Sequence, residues 1–481
     1  MNNKDKEILH IALPAIVTNI TVPLLGLIDV AITGHLGQTA YIGAIAVGSM
    51  LFNVVYWLFG FLRMGTSGMT AQAYGRADAD EAARLLARGL CVGLAVAFAL
   101  LILQAPLLKV ALVVMGVEPT LQPLVSTYFK ICIWGAPAML CLYAFTGWFI
   151  GLQNTRFTMA VSITQNVVNI VASLLLVYGL DMKIEGVAMG TLIAQWAGAL
   201  LATLYACAKH GKVLQRLKWR AVLQGEALLR FFTVNRDIFL RTLFLVAVNL
   251  FFVSAGARQG ALLLAANTLL MQLFTLFSYV MDGFAYAGEA LCGKYLGAHD
   301  AQEFHATVKR LFVWGALLTT AYTAVYGLGG DTFLALLTDD TAVLHAAHQY
   351  MPWAIAIPVA GVAAFVWDGV FIGTTATRGM LVSSAVAGVL FFAIYFVAAP
   401  TLHNHGLWLA FIIYLLTRGL VQTFLFNLKL ADKVFPLSLD FYRAHTHISF
   451  KKEHGRHYLV PLVDVVGRTA NTKSAVGDFV K

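Results

Sequence analysis

The chain has 481 residues, 59% of them hydrophobic and only 12% charged, with a formal net charge of +9 and a mean hydropathy of +0.77. Soluble globular proteins carry roughly 25% charged residues, so this composition excludes a water-soluble fold and makes lipid part of the solvent. Apolar stretches of membrane-crossing length recur from end to end, which excludes a single anchor on a soluble domain, and they lack the ~10-residue alternation of a membrane β-barrel.

The polar start, Met1–Lys6, runs directly into an apolar segment with no small-residue cleavage pattern, so a retained first helix is expected. Apolar length predicts crossings at 8–33, 41–72, 83–114, 122–150, 156–179, 186–208, 237–257, 261–293, 305–328, 347–374, 380–400 and 405–428. The fold class expected is therefore all-α and polytopic, with 12 transmembrane helices. Pro14 and Pro23 are candidate kink points in the first crossing. Residues 1–208 form the first expected lobe and 236–430 the second. Residues 209–235 are expected to link them, and 431–481 to form a polar, basic, cytoplasmic tail.

Lysine and arginine alternate in abundance between the loops. Lys4, Lys6, Arg76, Arg84, Arg156, the run Lys209–Arg220, Lys294, Lys309, Arg310 and Arg378 fall on one side. The other side holds Lys109, Lys130, Lys183 and Arg258. The positive-inside rule then places both termini in the cytoplasm, which requires an even number of crossings. This distribution accounts for the net charge without a nucleic-acid partner. The five cysteines form no C-x-x-C pair, so neither a metal site nor a disulfide framework is expected, and no cofactor motif is present.

A repeat recurs at a constant offset of 222 residues. Gly75, Asp78 and Ala79 match Gly297, Asp300 and Ala301, and Tyr128 matches Tyr350. The run Gly147–Gly151 matches Gly369–Gly373, and Thr155-Arg156 matches Thr377-Arg378. Six crossings per unit is even, so the two halves should share one orientation, related by an axis along the membrane normal.

Ionisable side chains at membrane depth are costly and mark function by default. Asp29 lies in Leu25-Gly26-Leu27-Ile28-Asp29-Val30-Ala31 with no basic residue near it in sequence. Apolar surroundings disfavour its charged form, which suits it to take up and release a proton. In the fifth crossing Gln165, Asn169 and Ser173 share a helical face, and Thr191 follows in the sixth. With Asp29 these oxygens make a candidate coupling site for H⁺ or Na⁺. As polar or substrate-site candidates the second half offers Asp282 and Glu289 on one face, Asp368 and Arg241, with a functional role expected of Asp282 and Asp368. Asp368 matches the neutral Thr146, so the halves differ chemically. Arg241 and Glu289 are expected to pair, Arg63 to be paired or to snorkel, and Asn235 to cap the helix that follows. Met50, Met64, Met271, Phe274, Phe277 and Tyr286 are expected to pack between helices, with a cleft lining as the alternative.

At these residues the sequence resembles the multidrug and toxic compound extrusion (MATE) family, and within it the DinF-like branch. The stretches that carry the resemblance are Ile28–Gly37, Asn235–Thr242, Gly256–Arg258 and Asp282–Ala290, and it covers roughly residues 5–430. The resemblance implies two six-helix lobes in a V and a cation-coupled exchange of organic, often cationic and amphiphilic, compounds. It implies that Asp29 is the coupling carboxylate, with Asn169, Ser173 and Thr191 around it, and that Pro14 marks a bend. Two departures favour H⁺ over Na⁺: Ser173 stands where members often carry Asp or Asn, and the seventh crossing offers Arg241 and Asn249 where some branches have Glu. The expected function is efflux antiport across an inner membrane by a monomer that is not an enzyme. A flippase of lipid-linked or amphiphilic precursors is the alternative.

Overall fold

The computed structural model describes residues 3–34, 39–215, 217–427, 448–453 and 456–461, with backbone alone at 22–27, 30, 33–34, 39 and in the last two segments. His35–Gly37 of the resemblance, the Pro23 side chain and most of the expected tail 431–481 lie outside that description.

The first half is built from α1 (Asn3–Gly34), then α2 (Thr39–Phe59) and α3 (Phe61–Gly75), which meet at Gly60 to make one crossing. There follow α4 (Ala79–Ile102) with α5 (Gln104–Val114), and α6 (Gln122–Cys132) with α7 (Ala136–Gly151), the latter two joined by a 3-10 turn. Next come α8 (Thr155–Leu174), prolonged by a π turn to Gly179, and α9 (Ile184–Leu214). A short α10 (Trp219–Val222) leads to the second half: α11 (Gly225–Arg258), α12 (Ala261–Gly297), α13 (Ala301–Leu337), α14 (Thr341–Gly373), α15 (Thr377–Leu402) and α16 (Asn404–Leu425). Eleven of these segments are long and apolar enough to cross a bilayer. With 32 residues, α1 exceeds the ~20 needed and makes the twelfth. The all-α fold with twelve crossings expected from the sequence is the fold found.

One small element is not helical. β1 (Ile448–Glu453) pairs antiparallel with β2 (Arg456–Pro461), Glu453 opposite Arg456. This hairpin, which hydropathy gave no reason to expect, belongs to a separate unit, Leu425–Lys481.

The repeat is written into the backbone. Six non-glycine residues have positive φ among the described residues, and they form three pairs at the offset of 222. These are Ala77 and His299 (56° and 57°), Gln153 and Thr375 (64° and 54°), and Asp181 and His403 (53° and 49°). Left-handed backbone is costly for side chains with a Cβ, so its recurrence means that the same helix ends are reproduced in both halves. The caps agree: Asp78 accepts from Glu81 N at 2.9 Å and Asp300 from Glu303 N at 3.0 Å.

Small residues set how closely the helices approach. In a bilayer, helix association rests on packing and hydrogen bonds more than on hydrophobicity, so glycine at crossings matters. Gly147 and Gly151 on α7 lie against the Arg63 and Ser67 carbonyls of α3, and their counterparts Gly369 and Gly373 on α14 lie against the Ala285 and Glu289 carbonyls of α12. The two halves meet through α3 and α12. There Gly75 abuts the Lys294 carbonyl and Gly297 abuts the Gln72 carbonyl, with no room for a Cβ at either. Residues 72 and 294 are again 222 apart, so this contact is reciprocal, as a two-fold axis requires.

One helix start differs from expectation. Asn235 was expected to cap a helix, but α11 begins at Gly225 and runs through it. Phe231, Val234 and Ile238 on its early turns bury against Met69, Ala73, Ala82 and Leu85, and this packing carries the helix past the predicted start. Asn235 donates to the Phe231 carbonyl at 2.7 Å and packs beside Gly65 of α3.

Candidate functional site

The predicted site residues gather into two buried polar centres, one within the first half and one centred on the second. In the first half, α8 packs on α9 at two glycines: Ser173 fills the space beside Gly190, and Gln165 that beside Gly198. This brings the predicted face of α8 onto α9. Asn169 Nδ2 donates to Thr191 Oγ1 at 3.0 Å, and the Thr191 hydroxyl hydrogen-bonds the Asp29 carboxyl. Asp29 is 4% exposed, and Asn169 and Ser173 are fully buried. Tyr128 and Cys132 of α6 lie within electrostatic reach of Asp29, and Tyr128 is itself held by Ser49 at 3.2 Å. The groups gathered here are neutral hydroxyls, an amide and a thiol. Asn169 Oδ1 and Ser173 Oγ have no hydrogen-bond partner among the described residues. Asp29, Thr191 and Asn169 are thus linked, with Ser173 one turn further along the same face of α8 beside Gly190 and Gln165 one turn the other way beside Gly198.

The second-half centre has a different chemistry. Asp368 on α14 accepts from Arg241 of α11, from Arg418 Nη2 of α16 at 2.7 Å and from Gln422 Nε2 at 2.6 Å. Glu289 on α12 faces α3, where Arg63 Nη1 lies at 3.1 Å and the Ser67 hydroxyl donates at 2.6 Å. Tyr286 closes over Arg63, 4.1 Å from guanidinium to ring centre. Asp282 lies within reach of Arg63, Arg241, Asp368 and Glu289. Three carboxyls thus face three guanidiniums, and a buried charge needs such a counter-charge.

The pairing expected between Arg241 and Glu289 is not formed. Arg241 turns to Asp368 of α14, and Glu289 is taken by Arg63 and Ser67 of α3 in the other half, so each group has a different counter-charge from the one expected. Arg63 is paired, as expected. Arg418 and Gln422 were not anticipated. An arginine within the last apolar stretch with a glutamine one turn on was the available signal. Ser67 was missed because a serine is unremarkable until its repeat counterpart, Glu289, is placed against it. Of the residues expected to pack, Phe277 is fully buried between Tyr322 and Phe365. Met50 is half exposed.

Two repeated six-helix halves around buried carboxyls, meeting at a reciprocal seam, define a polytopic membrane transporter rather than an enzyme. The chain belongs to the MatE family: the family model matches residues 14–175 and 238–397, one segment in each half. DNA damage-inducible protein F of Escherichia coli is 36% identical over 87% of this chain and 91% of its own length. Multidrug export protein MepA of Staphylococcus aureus is 19% identical over 82% of this chain and 86% of its own. Among solved structures, a MATE crystal structure in the bent conformation matches with a TM-score of 0.82 at 17% identity, covering 91% of this chain and 98% of the other.

Proposed function

We propose that this transporter is an efflux antiporter of an inner membrane, exchanging external H⁺ for an organic, often cationic and amphiphilic, compound, with both termini in the cytoplasm. The observation that carries the reading is the difference between the two centres. The carboxyls Asp368 and Glu289 hold arginines and so are needed as anions. Asp29 sits in a pocket of hydroxyl, amide and thiol groups that a neutral carboxyl suits as well as a charged one. Protonation there changes the charge of a buried pocket by one unit, a large electrostatic event where the dielectric is low. Coupling follows if the charged pocket favours one access state and the neutral pocket the other, because a ligand shifts an equilibrium only by its differential affinity for the two states. The domain scheme of two lobes, 1–208 and 236–430, joined through 209–235, supplies the two bodies that such a cycle rocks against each other.

Sodium coupling is the second reading, favoured by Asn169 Oδ1 and Ser173 Oγ, buried oxygens without hydrogen-bond partners that suit a hard cation. A flippase would call for uncommitted guanidiniums along the seam, whereas Arg63, Arg241 and Arg418 each hold a carboxylate. Proteoliposomes loaded with a fluorescent organic cation and given a pH gradient or a Na⁺ gradient separately test the proposal. The pH gradient alone should drive transport; transport driven only by Na⁺ moves the assignment to the second reading, and no response to either gradient removes both.

A further inference from the structure

A cavity of about 300 Å³ opens between α3, α4 and the first turn of α11, at the end of the bundle where basic residues cluster. Its lining carries Arg76, Arg88 and Arg230 against Glu81 and Glu226. These charges are not equally available. Arg88 is 2% exposed and committed: it holds the Ala221 and Val222 carbonyls of α10 at 3.0 and 2.9 Å and Glu81 at 2.7 Å. Arg84 takes the other oxygen of Glu81 at 2.8 Å. That leaves Arg76, which forms no ion pair among the described residues, and Arg230, which reaches only the Gln72 amide oxygen, at 3.3 Å.

The repeat supplies an internal comparison. At the offset of 222, Arg88 corresponds to Arg310, Glu81 to Glu303, Glu226 to Lys4 and Arg76 to Ala298. In the second half the corresponding charges are paired among themselves. Lys4 pairs with Glu303 and with Glu7, the Tyr295 hydroxyl joins them, and Asp5 lies 4.0 Å from Arg310. Acids and bases balance there: Lys4, Lys294 and Arg310 against Asp5, Glu7 and Glu303. In the first half Arg76, Arg88 and Arg230 line the cavity against Glu81 and Glu226, an excess of one positive charge, and Glu81 is already shared between Arg84 and Arg88. Tyr74, Trp219, Leu223 and Leu229, neighbours in sequence of the lining, are 44–68% exposed, the pairing of apolar surface with cationic heads found at a membrane interface.

We propose that Arg76 and Arg230 bind a phosphate ester in this cavity. The exposed apolar flank makes the headgroup of an acidic phospholipid the expected source, with free phosphate as the other. Two guanidiniums suit a phosphate, which accepts their paired N–H groups, and basic pockets between membrane helices hold acidic headgroups in this way. Bound there, the phosphate ties α3 of the first half to the start of α11 and does for this half what Glu303 and Lys4 do for the other.

Thermal unfolding of the purified full chain in detergent tests this, with phosphatidylglycerol, phosphatidylcholine or inorganic phosphate titrated separately. Phosphatidylglycerol should raise Tm by several degrees in a saturable way, and phosphatidylcholine should not. The double variant Arg76→Gln/Arg230→Gln should keep the lipid-free Tm, since both side chains are exposed, yet lose the shift. Native mass spectrometry should show the same loss of retained phosphatidylglycerol. A shift produced equally by inorganic phosphate assigns the site to a soluble phosphate. No shift with either anion, or a double variant that responds like the parent, overturns the proposal.

Discussion

At the scale of single residues, the two carboxyl centres predict opposite outcomes for the same chemical change. Asp29→Asn keeps an oxygen for the Thr191 hydroxyl and removes the titrating group. The variant should fold with parental Tm and gel-filtration profile while pH-driven transport falls to background; full transport by this variant would end the assignment of Asp29. Asp368→Ala does the reverse, because it strips the counter-charge from two buried guanidiniums, Arg241 and Arg418. Breaking a buried ion pair from one side costs about 3–5 kcal/mol, so a drop in Tm and in folded yield should appear before any specific transport defect. Asp29 was legible in the sequence because a lone acid within an apolar run can be seen in one dimension. The Asp368 cluster was only half legible: its members come from α11, α14 and α16, and no local spacing shows which arginine serves which acid.

At the scale of elements, the α3–α12 crossing is a tightly constrained contact between the halves. A side chain at Gly75 or Gly297 meets a backbone carbonyl that cannot move without shifting a helix. Gly75→Leu and Gly297→Leu should each lower Tm by many degrees and abolish transport. Gly327→Ala, where nothing lies within 4 Å, should stay within ~1 kcal/mol of the parent. A thermal-shift series reads all three. The start of α1, before the apolar span, carries a pH-sensitive tie. Burial alone would raise the Glu7 carboxyl, but the Lys4 ammonium and the Tyr295 hydroxyl outweigh it and hold it below its ordinary value. A depressed folded-state value stabilises the fold above the unfolded value near 4.5 and loses that contribution as pH falls through the folded one. Glu7→Gln should therefore lower Tm modestly at pH 7, by an amount that shrinks as the pH is taken below 4.5, the effect being small because the side chain is 37% exposed. Helix number was legible because crossing length is a property of composition. Helix starts such as Gly225 were not, since packing against α3 and α4 carries α11 beyond its apolar run.

At the scale of the whole transporter, Arg63–Glu289 is a buried ion pair that joins the halves. Arg63→Glu and Glu289→Arg should each impair stability and transport, and the two together should recover a good part of both, measured as a double-mutant cycle of Tm and efflux. The duplication was legible from matched glycines and aspartates in the sequence. What could not be read was which matched positions meet, because an offset gives correspondence and not contact.

Ser67 and Glu289 are such a pair, counterparts that touch each other at 2.6 Å. Arg63, the guanidinium beside them, corresponds to Ala285 at the same offset. One guanidinium facing one carboxylate cannot be two-fold symmetric, so at this point on the dyad the copies differ in charge as well as in shape, and the seam carries a polarity that an exact duplicate could not have.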